Sequence, residues 1–158
     1  MLLFSYSRII TSVFLMKYER NEDTETKVWQ IINTDDDFAQ IQITQPKICV
    51  LDCLMKKRSE GRLVFADIRP VPDMYKVLVN FDYIIVIYTG NTVLLSDEQF
   101  MILLEHEIRH IDIRLGKDGT VYGTVGHDIE DFYAIIDKYG MNWSTWNAKT
   151  QNVSGESG

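Results

Sequence analysis

The chain has 158 residues, 46% of them hydrophobic and 25% charged, with a formal net charge of -7 and a pI near 4.9. That length supports one domain with a sizeable core. The acidic balance argues against a nucleic-acid backbone as main ligand, which needs clustered Lys and Arg, and no segment reaches the ~20 apolar residues of a membrane span. The one basic cluster, Lys56-Lys57-Arg58, reads as a solvated turn between strands.

Residues 1–15 are apolar and β-branched without clear period, which fits a peripheral strand or helix. Only Arg8 precedes the apolar stretch and no small-residue cleavage site follows it, so it does not read as a signal peptide. Met16 makes a plausible start, and residues 1–26 are expected to be an extension and linker, with 18–26 a charged surface segment. Residues 27–38 carry Val28, Ile31, Ile32 and Phe38 between acidic residues, which predicts a short amphipathic helix ending around 33–37. Residues 41–45 alternate Ile with polar residues, but Pro46 limits any strand there.

Residues 47–55 form an apolar run that predicts a strand, 56–61 a turn, and 62–68 a second strand, together an antiparallel pair. The two cysteines, Cys49 and Cys53, fall in the first of these. Four residues apart on a strand, their Cα atoms would be roughly 13 Å apart, too far for a disulfide. They are expected to be buried free thiols of a reducing compartment. Pro70 and Pro72 then break the chain, and 73–79 suits two turns of helix capped by Asp73. Residues 82–88 are the strongest strand signal, and their continuous β-branched and aromatic run implies burial on both faces.

After a turn at Gly90-Asn91, Ser96-Asp-Glu-Gln99 is a capping-box pattern opening a helix to about Ile113. Met101, Leu104, Ile108 and Ile111 give it one apolar stripe. His106 and His110 lie on the opposite side, flanked by Ile102, Leu103 and Ile113. Glu105, Arg109 and Asp112 form a narrow charged strip, and Glu107 falls outside it. Residues 116–126 read as a glycine-rich loop with a short hairpin near 120–124. A second helix follows, capped by Asp128 with Asp131 in its first turn. Its apolar face is Ile129, Phe132, Ile136 and Tyr139, and Gly140 suits its C-terminal end. Trp143 and Trp146 are expected to cover the core, and 147–158 to be a disordered tail. The fold class is α+β: a small mixed or antiparallel sheet packed against the 96–113 helix and a C-terminal helix, in a domain spanning 27–146.

All three histidines lie between residues 103 and 132. His106 and His110, with Glu107 between them, make the H-E-x-x-H pattern, which puts two imidazoles one turn apart on one face. Such a pair binds one metal, and the intervening glutamate serves a metal-activated water. Glu107 would take the water's proton and deliver it to the leaving amine of a peptide bond. Hydrolytic zinc sites use three protein ligands. The third is either His127, at the start of the next helix, or Glu130, twenty residues beyond His110; His127 completes the histidine set and is preferred. Asp128 or Asp131 could orient a ligand ring. Tyr122, Tyr133, Tyr139 and Arg109 are within plausible reach as oxyanion stabilisers, though each reads better as packing or surface.

Leu-Glu-His-Glu-Ile-Arg-His (104–110), Gly-His-Asp-Ile-Glu-Asp-Phe (126–132) and Tyr139-Gly140 together resemble the putative phage metallopeptidase family. That family couples H-E-x-x-H to a later H-D-x-x-x-F element and an aromatic-glycine helix end. The resemblance runs over roughly 27–143 and is specific from residue 82 on. The Gly-His-x-x-x-x-Phe element is also similar to SprT-like metalloproteases, which place a third histidine ligand there, but this chain lacks their cysteine ribbon and basic DNA-binding segment. The resemblance implies a zincin-like α+β fold, Zn2+ held by His106, His110 and His127, and Glu107 as catalytic acid/base. It also implies expression from a phage or prophage in a bacterial cytoplasm; the protein or peptide substrate is expected from the site chemistry. The competing expectation is a non-catalytic acidic phage protein that binds or inhibits a host protein, with a structural metal or none.

Overall fold

A computed structural model describes residues 17–127 and 132–143, without the side chain of Tyr133. The expectations for residues 1–15, for Asp128, Ile129, Glu130 and Asp131, for Trp146 and for the tail lie outside the described residues. The fold is mixed α+β. Its main sheet has four strands, β1 (Tyr18–Arg20), β2 (Ile48–Cys53), β5 (Ala66–Pro70) and β6 (Tyr83–Tyr88), in the order β1-β2-β6-β5. β2 runs parallel to β6, with Ile48 opposite Tyr83 and Cys53 opposite Tyr88. β1 and β5 are antiparallel to their neighbours.

This order corrects the expected antiparallel pair. The strand of residues 47–55 does not pair with that of 62–68, because β6 lies between them. The turn joining them carries its own hairpin, β3 (Lys57–Ser59) with β4 (Arg62–Val64). Its two central residues, Glu60 and Gly61, have φ of 50° and 77°, the positive pair that a two-residue hairpin turn needs to match strand twist. Asn91 is buried and its side-chain amide donates to the carbonyls of Lys57 and Val64 at 2.8 and 2.7 Å, pinning that hairpin to the sheet.

The 18–26 linker reading also gives way. β1 pairs at the sheet edge, and helix α1 (Glu22–Thr34) begins as soon as Asn21 accepts from the Thr24 N–H. Three acidic residues in its first turn, Glu22, Asp23 and Glu25, complement the positive end of the helix dipole. Residues 41–45 belong to a second short helix, α2 (Ala39–Thr44), and make no strand. The 73–79 segment is a 3-10 turn over Asp73–Val77. Gly90-Asn91 fall in a one-turn helix, α3 (Thr89–Thr92).

Val28 and Ile32 of α1, Ile48 and Val50 of β2, and Tyr83, Ile85 and Ile87 of β6 share one core with Leu104 and Ile108 of helix α4 (Asp97–Arg109). The alternate residues of β6, Val86 and Tyr88, join Cys53 in a smaller cluster on the other face. β6 is therefore buried on both sides, as its composition implies. Cys49 and Cys53 are free and buried. Among the described residues no helix is long and apolar enough to cross a membrane.

On that second face Tyr88 donates to Asp67 Oδ2 at 2.7 Å, beside Lys57 at 2.9 Å and a two-point contact from Arg69. Burial raises the Asp67 carboxyl pKa, but its hydrogen bonds from Arg69, Lys57 and Tyr88 outweigh this and hold it below the usual range. A depressed folded-state pKa contributes stability that is present above the unfolded carboxylate's value and lost as pH falls through the folded one. Urea titrations between pH 7 and pH 2 should show that loss below about pH 4, and Asp67→Asn should flatten it. An unchanged slope in the variant would remove Asp67 from the account.

Candidate metal centre

The capping box forms as the sequence predicts. Ser96 accepts from the Gln99 N–H, and Gln99 Oε1 accepts from the Ser96 N–H at 2.8 Å. Since this cap opens the helix that carries the histidines, Ser96→Ala should lower stability by about 1 kcal/mol in chemical denaturation. A loss near zero would mean the cap is redundant.

The far end of α4 departs from expectation. The helix stops at Arg109 with His110 as its C-cap, and residues 111–113 are strand. β7 (Ile111–Gly116) pairs with β8 (Gly119–Thr124) in an antiparallel hairpin longer than the one expected at 120–124. Ile111 and Ile113 fit a helical stripe and a two-residue alternation equally well, and pairing with Thr124 and Tyr122 selects the strand. Tyr83 fixes the hairpin to the sheet by donating to the Gly123 carbonyl at 2.8 Å.

The hairpin's function is to turn the chain back upon the helix end. One step past the last ladder pair, the Val125 N–H donates to the His110 carbonyl at 2.8 Å. His110 Nδ1 lies 2.6 Å from the Val125 carbonyl oxygen. A carbonyl only accepts, so Nδ1 carries a proton, and Nε2 is the nitrogen left for a metal. Two residues on, His127 Nε2 stands 2.9 Å from His106 Nε2. The ring centroids of the three imidazoles are 4.5–5.2 Å apart.

The ligand-capable atoms of His106, His110 and His127 all lie within 4.8 Å of one another. Two imidazole nitrogens at 2.9 Å repel unless they share a proton or a cation. Nitrogens bound to one tetrahedral zinc at ~2.0–2.1 Å are roughly 3.3–3.4 Å apart, so the His106–His127 pair fits a metal after opening by a few tenths of an ångström. The donor set, three neutral imidazoles, suits a borderline divalent cation.

Glu107 is buried, at 4% exposure. The charged strip beside it is partly buried and internally paired. Glu105 is equally buried and accepts from Tyr139 Oη at 2.6 Å, from Arg109 Nη2 at 2.7 Å and from Lys138 Nζ at 3.0 Å. Arg109 and Lys138 reach on to Asp37 and Asp35 in the turn after α1. Burial raises the Glu105 pKa, and the Tyr139, Arg109 and Lys138 contacts more than reverse it. Burial and the adjacent Glu105 carboxylate push the Tyr139 hydroxyl up to about 12. Arg109 and Tyr139, weighed as oxyanion stabilisers, are thus committed to this network. Tyr122 packs edge-on against Tyr83 beneath the Lys76 ammonium.

Two further residues surround the site, and neither is among its expected members although Phe132 closes the H-D-x-x-x-F element. Phe132, N-cap of helix α5 (Tyr133–Tyr139), stands 5.4, 4.9 and 5.5 Å from the His106, His110 and His127 rings. Trp143 lies 5.9 Å from His106, and its carbonyl accepts from Gln99 at 3.0 Å. As apolar residues, both are expected only to pack in the core.

A family model described as putative phage metallopeptidase matches residues 16–153. The chain belongs to this family. The family's name suggests a metal-dependent protease acting on protein substrates, and the histidine cluster could hold the metal. No curated protein and no solved structure matches the chain.

Proposed function

We propose that the protein is a zinc-dependent metallopeptidase of zincin-like architecture, with His106, His110 and His127 as metal ligands and Glu107 as general base and acid. The observation that carries this reading is the convergence of three imidazoles from two chain segments at the end of a buried H-E-x-x-H helix. His127 is the better third ligand because its Nε2 already lies beside that of His106. Zinc, when bound, acidifies water to a pKa near ~7 and polarises a carbonyl.

Each residue then has a defined task. The Val125 carbonyl fixes the His110 tautomer and leaves its Nε2 to serve as the ligand atom. Glu107, held out of bulk water, takes a proton on a carboxylate oxygen from the attacking water and returns it to the leaving amine. The substrate is the peptide bond of a protein or peptide, and the buried free thiols Cys49 and Cys53 agree with action in a bacterial cytoplasm.

The test uses the full chain, zinc-loaded, with an unstructured fluorogenic protein substrate. Cleavage should disappear with a chelator and return with added zinc. Cleavage that persists through exhaustive chelation would contradict the reading.

A further inference from the structure

We propose that Phe132 is a positioning residue whose ring holds the three imidazoles in their converged arrangement. This inference rests on the reading of those histidines as a metal centre. His106 and His110 belong to α4, whereas His127 follows the β7–β8 hairpin in an exposed, irregular segment. Hydrogen bonds fix His110 to Val125, but the torsion that turns an imidazole about its own bond is soft and broad. Phe132 is buried and meets all three rings edge-on, at interplanar angles of 61°, 66° and 82°, the arrangement that aromatic quadrupoles favour.

The position of Phe132 is itself enforced. It caps α5, whose Ile135 is fully buried in the core. The far end of α5 is tied to α4 through Tyr139 and Lys138 on Glu105. The N-cap ring of α5 thus lies against the imidazoles while its last turn is anchored on Glu105, the residue next to His106 on the same partner helix. An apolar ring beside a metal centre also limits solvent access and lowers the local dielectric; loss of supporting groups one layer out from a metal weakens affinity by about 10–100-fold.

The test compares zinc affinity, by competition with a chromophoric chelator, in wild type, Phe132→Ala, Phe132→Leu, Phe132→Tyr and His106→Ala, with the visible spectrum of the cobalt-substituted proteins as a second readout. Phe132→Ala should bind zinc at least about tenfold more weakly and show an altered cobalt spectrum, while Phe132→Tyr, which restores the ring, recovers both. Phe132→Leu preserves apolar volume but not the ring, and it carries the test if the alanine variant does not fold. Folded Phe132→Ala or Phe132→Leu protein with wild-type affinity and spectrum overturns the inference and leaves the metal centre standing. Wild type without zinc, or His106→Ala binding as tightly as wild type, overturns both.

Discussion

Glu107→Gln should abolish peptide cleavage while leaving zinc bound. The substitution keeps the size of the side chain and removes its basicity, so the proton of the attacking water has no acceptor. General acid–base groups contribute typically about 10²–10⁴-fold, and a loss in that range is expected in kcat with little change in KM. Glu107 is buried on a helix whose neighbouring turns pack into the core, so the fold must be checked alongside; near-equal thermal midpoints would show that chemistry alone has been removed. Full activity in a folded Glu107→Gln protein would exclude Glu107 from proton transfer. The complementary outcome, loss of zinc with loss of activity, would place Glu107 among the groups that hold the metal.

The largest stability effect is expected at Glu105. Its carboxylate is almost wholly buried and neutralises Arg109 and Lys138, with Tyr139 on its second oxygen. Glu105→Ala leaves the Arg109 guanidinium, itself 9% exposed, without its main counter-charge. Removing one partner of a buried pair costs about 3–5 kcal/mol, a large share of the ~5–15 kcal/mol that holds a domain together. A fall of roughly 10 °C in the melting temperature follows for a chain of this size. Tyr139→Phe removes one neutral donor and should cost only about 1 kcal/mol. A Glu105→Ala loss below that of Tyr139→Phe would mean that Asp35 and Asp37 carry the cations on their own.

Local patterns in the sequence announced the site, and distant partners completed it. The capping box and the i, i+4 histidines are short-range features and appear where the spacing puts them. The hairpin that returns His127 was only half visible, because Ile111 and Ile113 serve either periodicity and the strand is decided by their partners Thr124 and Tyr122 beyond the turn. The Glu105 strip was legible as charged, but not its partners Asp35, Lys138 and Tyr139, which come from far along the chain. Residues 18–26 looked like a linker for their charge, yet Thr24, Val28 and Ile32 share the buried face of α1 behind an Asn21 cap. β6 was legible as a strand buried on both faces, but its parallel pairing with β2 was not. Neighbouring strands in sequence are the simplest guess, and here a small hairpin consumes the connection between them.

Metal analysis of the purified full chain tests the central claim most directly. Wild type, His106→Ala, His110→Ala and His127→Ala would be loaded with zinc, freed of loosely bound ions and assayed for bound metal per chain. One zinc per wild-type chain, with loss from each of the three folded variants, is the result expected of a centre built on these imidazoles. A folded wild type that retains no zinc, or variants that retain it in full, would contradict it.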